Sequence, residues 1–195
     1  MELRIGDVCI NGQVAEKSLD QMRAMRQLVH EATNVMRRWH GENWRWSGGA
    51  WQIATNDDDW HWLRYQHPSG EPITDDSAYN AGLSQRLFPM RDLCLSANVH
   101  ARGKGRLAIR FDDGSEQFSW EGDLLNDALL EVFAFDRRWQ IFLDSKLIAT
   151  KKFDSAASIV GSAGPCTIGA KNLTVTLSDL RIYHDIYHVS QNEEL

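Results

Sequence analysis

The chain has 195 residues, a length that suits one domain and allows a self-sufficient apolar core without metals or a disulfide framework. Its 43% hydrophobic and 25% charged residues are typical of a globular protein and exclude a disordered or fibrous chain. The formal net charge of -6 argues against nucleic acid as a partner, because phosphate binding needs clustered Lys and Arg. The basic pair Arg37-Arg38 sits instead beside tryptophans and Glu42.

The sequence shows neither a membrane span nor an export signal. The longest apolar candidate, "ALLEVFAF", is interrupted by Glu131, and the start "MELRIGDVCI" lacks the basic-then-apolar order of a signal peptide. The three cysteines, Cys9, Cys94 and Cys166, are an odd number at wide spacing. We interpret them as small buried hydrophobes, with a Cys94–Cys166 bridge as the less favoured alternative, and we predict no cofactor.

The first 31 residues predict a hairpin followed by a short helix. In "LRIGDVCINGQVAEK" the pair Asn11-Gly12 supplies the positive-φ positions of a tight turn between two strands. Ser18 is a candidate helix N-cap with Gln21 three positions later, as in a capping box. The spacing of Leu19 to Val29 favours a helix that ends before Ala32.

Six of the eight tryptophans lie between residues 39 and 62, where the apolar period changes from helical to alternating. Trp44 shares a predicted strand face with Trp46, Trp51 with Ile53, and Trp60 with Trp62. The segment "SGGA" at 47–50 predicts a hairpin turn between the first two of these strands, and "HPSGEPITDDSAYNAG" predicts a loop.

From residue 92 onward, short alternating runs separated by turn residues predict an antiparallel β-sandwich. The runs are "DLCLSANVHA", "GRLAIRFDD", "SEQFSWEG", "LLEVFAFDR", "RWQIFLDSKLIATKKF", "PCTIGA" and "NLTVTLSDLRIYHDIY". No helical segment after residue 32 is long enough to cover a parallel sheet.

The later half resembles a known fold. "LLEVFAFDRRWQIFLDSKLIA" followed by "CTIGAKNLTVTLSDLRIYHDIY" is similar to the jelly-roll sandwiches of the laminin-G and concanavalin A-like kind, with Asp144-Ser145 in place of their usual Asp-Gly turn. The resemblance implies a mainly β concanavalin A-like jelly roll with a short N-terminal hairpin and one short helix.

The two ends resemble a second family. "IGDVCINGQVAEKS" and "AMRQLVHEA" are similar to a segment of long-variant bacterial type I signal peptidases, and "DLRIYHDIYH" resembles the end of the insertion found in those variants. Asp185-Ile186-Tyr187 fits that ending, whereas His184 and His188 depart from it. The resemblance implies three parts: an N-terminal hairpin and helix that continue from the protease domain at 1–38, a β-sandwich insert domain at 39–190 and a tail at 191–195.

The segments that resemble signal peptidases do not include the catalytic residues of that family. The serine nucleophile and lysine base of that family fall outside this chain, and Lys17-Ser18 cannot replace them, because adjacent residues at a helix start do not face each other. We therefore expect no catalytic residue in this chain. The resemblance implies a non-catalytic, extracytoplasmic domain, anchored through a parent's membrane helix, that presents exported preproteins or docks cell-envelope components.

The tryptophans raise a different functional hypothesis, because flat indole faces stack on sugar rings. Strand alternation favours core packing for most of them. Trp39 and Trp51 stand outside the paired alternation, so they are the candidate ligand-binding residues of a carbohydrate-binding laminin-G-like module. An independent hydrolase is a third alternative, although the chain has no G-x-S-x-G motif.

Two clusters could bind metal, and we assign a metal to neither. Asp57, Asp59 and His61 offer calcium-type ligands, but consecutive aspartates are more typical of a solvated turn. His184 and His188 share a strand face at a spacing that zinc ligands use, without an identifiable third ligand.

Overall fold

The computed structural model describes residues 2–4, 7–10, 13–32, 38–67, 70–74, 89–90, 92–112, 117–123, 127–152 and 162–185. These residues form a mainly β structure with antiparallel pairing and one short helix, so the predicted fold class, an antiparallel β-sandwich of jelly-roll type, is confirmed. The strands are β1 (Glu2–Arg4), β2 (Asp7–Ile10), β3 (Gln13–Val14), β4 (Arg26–Glu31), β5 (Trp39–His40), β6 (Arg45–Ser47), β7 (Ala50–Ala54), β8 (His61–Tyr65), β9 (Leu93–Asp112), β10 (Gln117–Gly122), β11 (Ala128–Phe135), β12 (Arg138–Leu143), β13 (Lys146–Lys152) and β14 (Cys166–Asp185), and the helix is α1 (Leu19–Ala24).

The N-terminal hairpin is present, and the helix is shorter than predicted. Strands β2 and β3 pair at Cys9–Val14 and Ile10–Gln13, while the turn residues Asn11 and Gly12 lie outside the described residues. Ser18 forms the expected capping box with Gln21. The helix ends at Ala24, however, because the following residues form β4, whose backbone is bonded to β14. Sheet pairing thus overrides the helical spacing.

Strands β9 and β14 form the spine of the sandwich. Each has 20 residues, and they pair with each other along nearly their whole lengths. Sequence analysis divided each into two runs, but the structure joins them. Two residues with positive φ, Asn172 at 49° and Asp179 at 50°, coincide with the register shifts in β14. Each shift changes which alternate residues face inward, so the strand bends without leaving the sheet.

One continuous core lies between the two halves of this curled sheet. Buried side chains from β9, β14, β8, β11 and β12 belong to a single cluster. Phe118 on β10 stacks on Trp139 of β12, with ring centres 5.5 Å apart, so strands from the two halves contact each other face to face. Cys94 and Cys166 are buried free thiols, and burial raises the pKa of Cys94 to about 12. Their interpretation as small hydrophobes is confirmed, whereas the side chain of Cys9 is outside the described residues.

A second, smaller cluster lies under the helix on the outer face of the sheet. Met22 of α1 packs with four buried residues: Cys94, Phe133, Phe135 and Phe142. The carboxylate of Glu131, 1% exposed, receives hydrogen bonds from Arg23 and from Arg26 at 3.0 Å. These bonds hold the helix and β4 against β11.

Lys17 makes a second attachment of the N-terminal segment. Its ammonium pairs with Asp136 and lies 3.1 Å from Asp185. Burial disfavours the charge of Lys17, but the hydrogen bond to Asp136 and the charge of Asp185 outweigh it and raise its pKa. The division between 1–38 and 39–190 stays a prediction, but the main sheet already includes β4, which lies before residue 39.

A buried polar group surrounds the ring of Tyr65 at the β5–β8 pair. The rings of His30 and Trp39 lie 5.5 and 5.3 Å from it, and its hydroxyl lies 3.2 Å from His67 Nδ1. Burial, reinforced by the charges of Arg38 and His67, lowers the pKa of His30 to about 4. His30 is therefore neutral in the folded protein near neutral pH.

Glu131→Gln is expected to destabilise the fold by about 2 kcal/mol, because it leaves two half-buried guanidiniums without their shared anion. Chemical denaturation measures the loss. The matched control is Glu121→Gln, whose partner Arg106 is 50% exposed, and it should cost less than ~0.5 kcal/mol. Equal losses of unfolding free energy in the two variants would contradict the conclusion that the bonds to Glu131 hold the helix and β4 against β11.

Acid should weaken the fold through His30. With a folded pKa of about 4 and an unfolded value near 6.5, the unfolded chain takes up the proton first, so stability falls as the pH drops from about 6.5 to 4. The contribution is roughly 3 kcal/mol at most. His30→Gln should flatten this part of the pH–stability curve, whereas His100→Gln, at an exposed site, should leave it unchanged.

Candidate functional site

The tryptophans divide into buried and partly exposed groups. Trp39 is 2% exposed and packs edge-on against Tyr65, so its indole belongs to the core, and a ligand-binding role for Trp39 stays a prediction. Trp39 shares a cross-strand pair with Tyr65 on the inward face of β5 and β8. Trp44 is also buried, as predicted, and its Nε1 donates to the carbonyl of His61 at 3.1 Å.

Trp51 lies at the edge of the core. It faces Leu177 across β7 and β14, and it contacts Trp46 edge-on across the hairpin, with ring centres 5.7 Å apart. The turn between these tryptophans is the predicted one, with φ of 60° at Gly48 and 81° at Gly49. Both indoles are half-buried, so Trp46 is less enclosed than its alternation suggested. A ligand-binding role for Trp51 stays a prediction.

Trp60 and Trp62 form a partly exposed aromatic surface near the start of β8. Their rings stack with centres 5.4 Å apart and 27° between the planes, and the Arg110 guanidinium lies 3.8 Å from the Trp62 ring centre. The prediction that this pair plugs the core is wrong, because both indoles are half-buried on the outer face of the sheet. Trp62 lies on the outward face of β8, and Trp60, directly before the strand, stacks on it.

The backbone of β14 makes room for this stack. Trp62 lies opposite Gly169, and a Cβ at Gly169 would come within 2.5 Å of Trp62 Cζ3. Any other residue would therefore push the indole away. A glycine inside a strand often marks the close approach of another group, and here that group is the Trp62 ring.

A polar network adjoins the tryptophan pair. His61 Nε2 lies 2.9 Å from Asp57 Oδ1, and His61 Nδ1 lies 2.6 Å from Asn43 Nδ2. Asp57 also accepts from the Thr55 hydroxyl at 3.0 Å and from the backbone N–H of Asp59 at 3.2 Å. The hydrogen bonds from His61 and Thr55 lower the pKa of Asp57. Both ring nitrogens of His61 are thus held, which fixes the orientation of the imidazole.

These residues line two adjoining depressions. The larger has a volume of about 770 Å³ and is lined mainly by polar side chains from the β5–β6 and β7–β8 connections and from β6, β7, β8 and β14: Glu42, Asn43, Arg45, Gln52, Thr55, Asn56, Asp57, His61, Thr174 and Thr176. The smaller, of about 340 Å³, adds Trp60, Trp62, His40 and Arg64. They share Glu42, Asn43 and His61, so they form one groove with an aromatic end. We call this the tryptophan groove.

The candidate metal ligands do not form a metal centre. Asp57 and His61 come together, but Asp59 reaches Asp57 through its backbone N–H. Within the described ranges, no three His, Cys, Asp or Glu side chains are grouped so that they could hold a metal ion. His184 is buried with Nδ1 2.6 Å from the Asp185 carbonyl, and His188 lies outside the described residues.

The geometry of Lys17 and Ser18 agrees with their exclusion as a catalytic pair. The Ser18 hydroxyl accepts from the backbone N–H of Gln21, and the Lys17 ammonium is held by Asp136 and Asp185. A lysine whose pKa is raised stays protonated and cannot act as a base. No helix in the described part of the chain is both long and apolar enough to cross a membrane.

Sequence analysis missed part of this site. Asn43 and Arg110 were not singled out, because an isolated Asn or Arg carries no signal until the fold brings it to the tryptophans. Gly169 did carry a signal, since glycine interrupts an otherwise β-favouring run.

No family model and no curated protein matches this chain. Among solved structures, it is similar to the carbohydrate recognition domain of Emp47p, with 7% identity over 81% of this chain and 92% of that one, at a TM-score of 0.47. It is similar to the carbohydrate-binding module CBM66 from Bacillus subtilis, with 14% identity over 75% and 96% of the two chains and a TM-score of 0.47. It is also similar to the binding domain of botulinum neurotoxin serotype C1, with 9% identity over 85% and 50% and a TM-score of 0.49.

These similarities identify neither a family nor a ligand for this chain. The chemical properties of the tryptophan groove must therefore be inferred from its own residues.

Gly169→Ala is expected to displace Trp62 and to cost about 1–3 kcal/mol of unfolding free energy, because the added methyl overlaps the ring. A double-mutant cycle measured by chemical denaturation isolates this effect. In a Trp62→Ala background the same substitution should cost clearly less. An unchanged cost would mean that Gly169 is needed for another reason.

Proposed function

We propose that this chain binds carbohydrate in the tryptophan groove. The observation that carries the proposal is the outward-facing Trp60–Trp62 stack at the end of a groove lined by oriented polar side chains. A sugar ring offers an apolar face for an indole and hydroxyls for amide, carboxylate and imidazole groups. The groove volume lies in the usual range for small-molecule sites.

The two indoles have different tasks in this proposal. Trp62 is fixed by Gly169 beneath it and by the Arg110 guanidinium. Trp60 stacks on Trp62 and therefore has a supported ring that needs little further ordering when a sugar binds. Trp60 is the stacking residue, and Trp62 positions it.

The polar side chains of the groove would orient the bound sugar. The Asn43 amide and the Asp57 carboxylate are both oriented by His61, and Gln52 adds a second amide from β7. Planar amide and carboxylate groups can bond to neighbouring hydroxyls of one sugar. The carboxylates of Glu42 and Asp57 are balanced by Arg45 and Arg64 in the same groove, so we infer a neutral glycan.

The signal-peptidase hypothesis has no support from the comparisons. The fold that it implies is confirmed, but no contact among the described residues favours a role in presenting preproteins. An extracytoplasmic location is part of our proposal only because cell-envelope glycans would be accessible there. The independent hydrolase stays the weaker alternative, because the Thr55 hydroxyl and the His61 imidazole are both bonded to Asp57 and not to each other.

A glycan array followed by calorimetry with the best neutral oligosaccharide tests the proposal. Trp60→Ala should weaken binding at least tenfold, about 1.4 kcal/mol, because it removes the stacking face. Trp120→Ala is the matched control, since Trp120 is also half-buried but lies against Gly122 on β10, away from the groove. Asn43→Ala should weaken binding while leaving the stack intact.

The proposal fails if the intact chain binds no glycan on the array, or if Trp60→Ala binds as tightly as the unmodified chain. Equal weakening by Trp60→Ala and Trp120→Ala would indicate loss of fold rather than loss of a contact.

A further inference from the structure

The buried group around Tyr65 has more hydrogen-bond donors than acceptors. In this group, three buried atoms have no hydrogen-bond partner among the described residues: His30 Nε2, Arg38 Nε and Trp39 Nε1. An indole N–H and a guanidinium N–H can only donate. Leaving such groups buried and unpaired costs about 1–3 kcal/mol each, so their persistence in one place calls for an acceptor.

The three atoms belong to residues gathered on one aromatic ring. His30 and Trp39 are 5% and 2% exposed, and both rings lie within 5.5 Å of Tyr65. Burial raises the pKa of Tyr65, and the nearby Arg38 guanidinium opposes that rise. The Arg38 carbonyl accepts from Gln66 N–H at 2.7 Å, which fixes its backbone beside β8. The unpaired atoms therefore belong to side chains gathered around the Tyr65 ring.

The charge of this group is positive and unbalanced. Burial and the Arg38 charge lower the pKa values of both His30 and His67, so both imidazoles are neutral near pH 7. One fixed positive charge then remains, that of Arg38. Among the groups that perturb His30, His67 and Tyr65, Glu31 beside His30 is the one carboxylate within the described part of the chain, and Glu31 is bonded to Arg181 at 2.7 Å.

We propose that the group formed by His30, Arg38, Trp39, Tyr65 and His67 binds the carboxylate of a small ligand. A carboxylate has one charge to match Arg38 and two oxygens to accept from the guanidinium, indole and imidazole N–H groups. A phosphate dianion would bring a second charge that nothing here neutralises. Arg38 and His67 are only partly buried, so the site opens to solvent on their side.

This site is separate from the tryptophan groove. Trp39 and Tyr65 lie on the inward face of the β5–β8 pair, whereas the paired residues His40 and Arg64 lie on the outward face and line the groove. Carboxylate binding can therefore succeed or fail independently of glycan binding.

The indole N–H resonances of the eight tryptophans provide the test, with acetate as the probe at pH 7 and constant ionic strength. The Trp39 resonance, assigned with Trp39→Phe, should shift downfield and saturate with a dissociation constant of about 1 mM, as suits a ligand of four heavy atoms. Chloride at the same ionic strength should not reproduce the saturating shift.

Arg38→Met should abolish the saturation, and Arg38→Lys should weaken it at least fivefold, because the lysine keeps the charge but has no Nε–H. Arg102→Met, at an exposed position on β9, is the control and should bind acetate normally. If the Trp39 resonance does not shift, or moves linearly without saturation in the folded protein, the group holds only water and the proposal is wrong. Equal binding by Arg38→Met and Arg102→Met would also overturn it.

Discussion

The pairing of β9 with β14 is the constraint on which the rest of the structure depends. Every other strand of the main sheet is bonded to one of these two, either directly or through one or two intervening strands. Their register therefore decides which residues meet across the sheet. Pairing with β9 sets Gly169 of β14 opposite Ala108, and pairing with β8 sets it opposite Trp62, so Arg110 of β9 lies within reach of the same indole. A shift of one residue would turn the whole aromatic stack toward the core.

Strand β8 shows how one short segment serves two chemistries. Alternation places Leu63 and Tyr65 in the core and Trp62 and Arg64 on the outside. The outward side chains contribute to a groove in which ring stacking and hydrogen bonds to hydroxyls are both available. The inward Tyr65 instead organises a group of buried donors. Because the two faces are separated by the thickness of the sheet, a substitution on one face has little direct effect on the contacts of the other face.

Sequence patterns predicted the fold better than the site. Alternation, turn residues and the capping box at Ser18 identified the sandwich, the hairpin at 47–50 and the helix start, since these signals are local. The helix end was wrong because pairing of β4 with β14 is a long-range effect. Periodicity also cannot say which face of a strand is inward: it grouped Trp60 with Trp62 correctly, but the direction depended on Gly169, more than 100 positions later. The direction of Trp39 stayed open in the sequence for the same reason, because its partner Tyr65 is set by the fold.

The contact of Lys17 with Asp185 brings an early and a late part of the chain to one corner of the sandwich. Beside it, β4 and β14 run antiparallel with Arg26 opposite Asp185. A pulling force applied at residues 17 and 185 would therefore open this pair from its end, one backbone bond after another, beginning with the ion pair. The long β9–β14 ladder would not carry the load until β4 had separated. In mechanical terms, this corner would separate at low force, before the core behind it is disturbed.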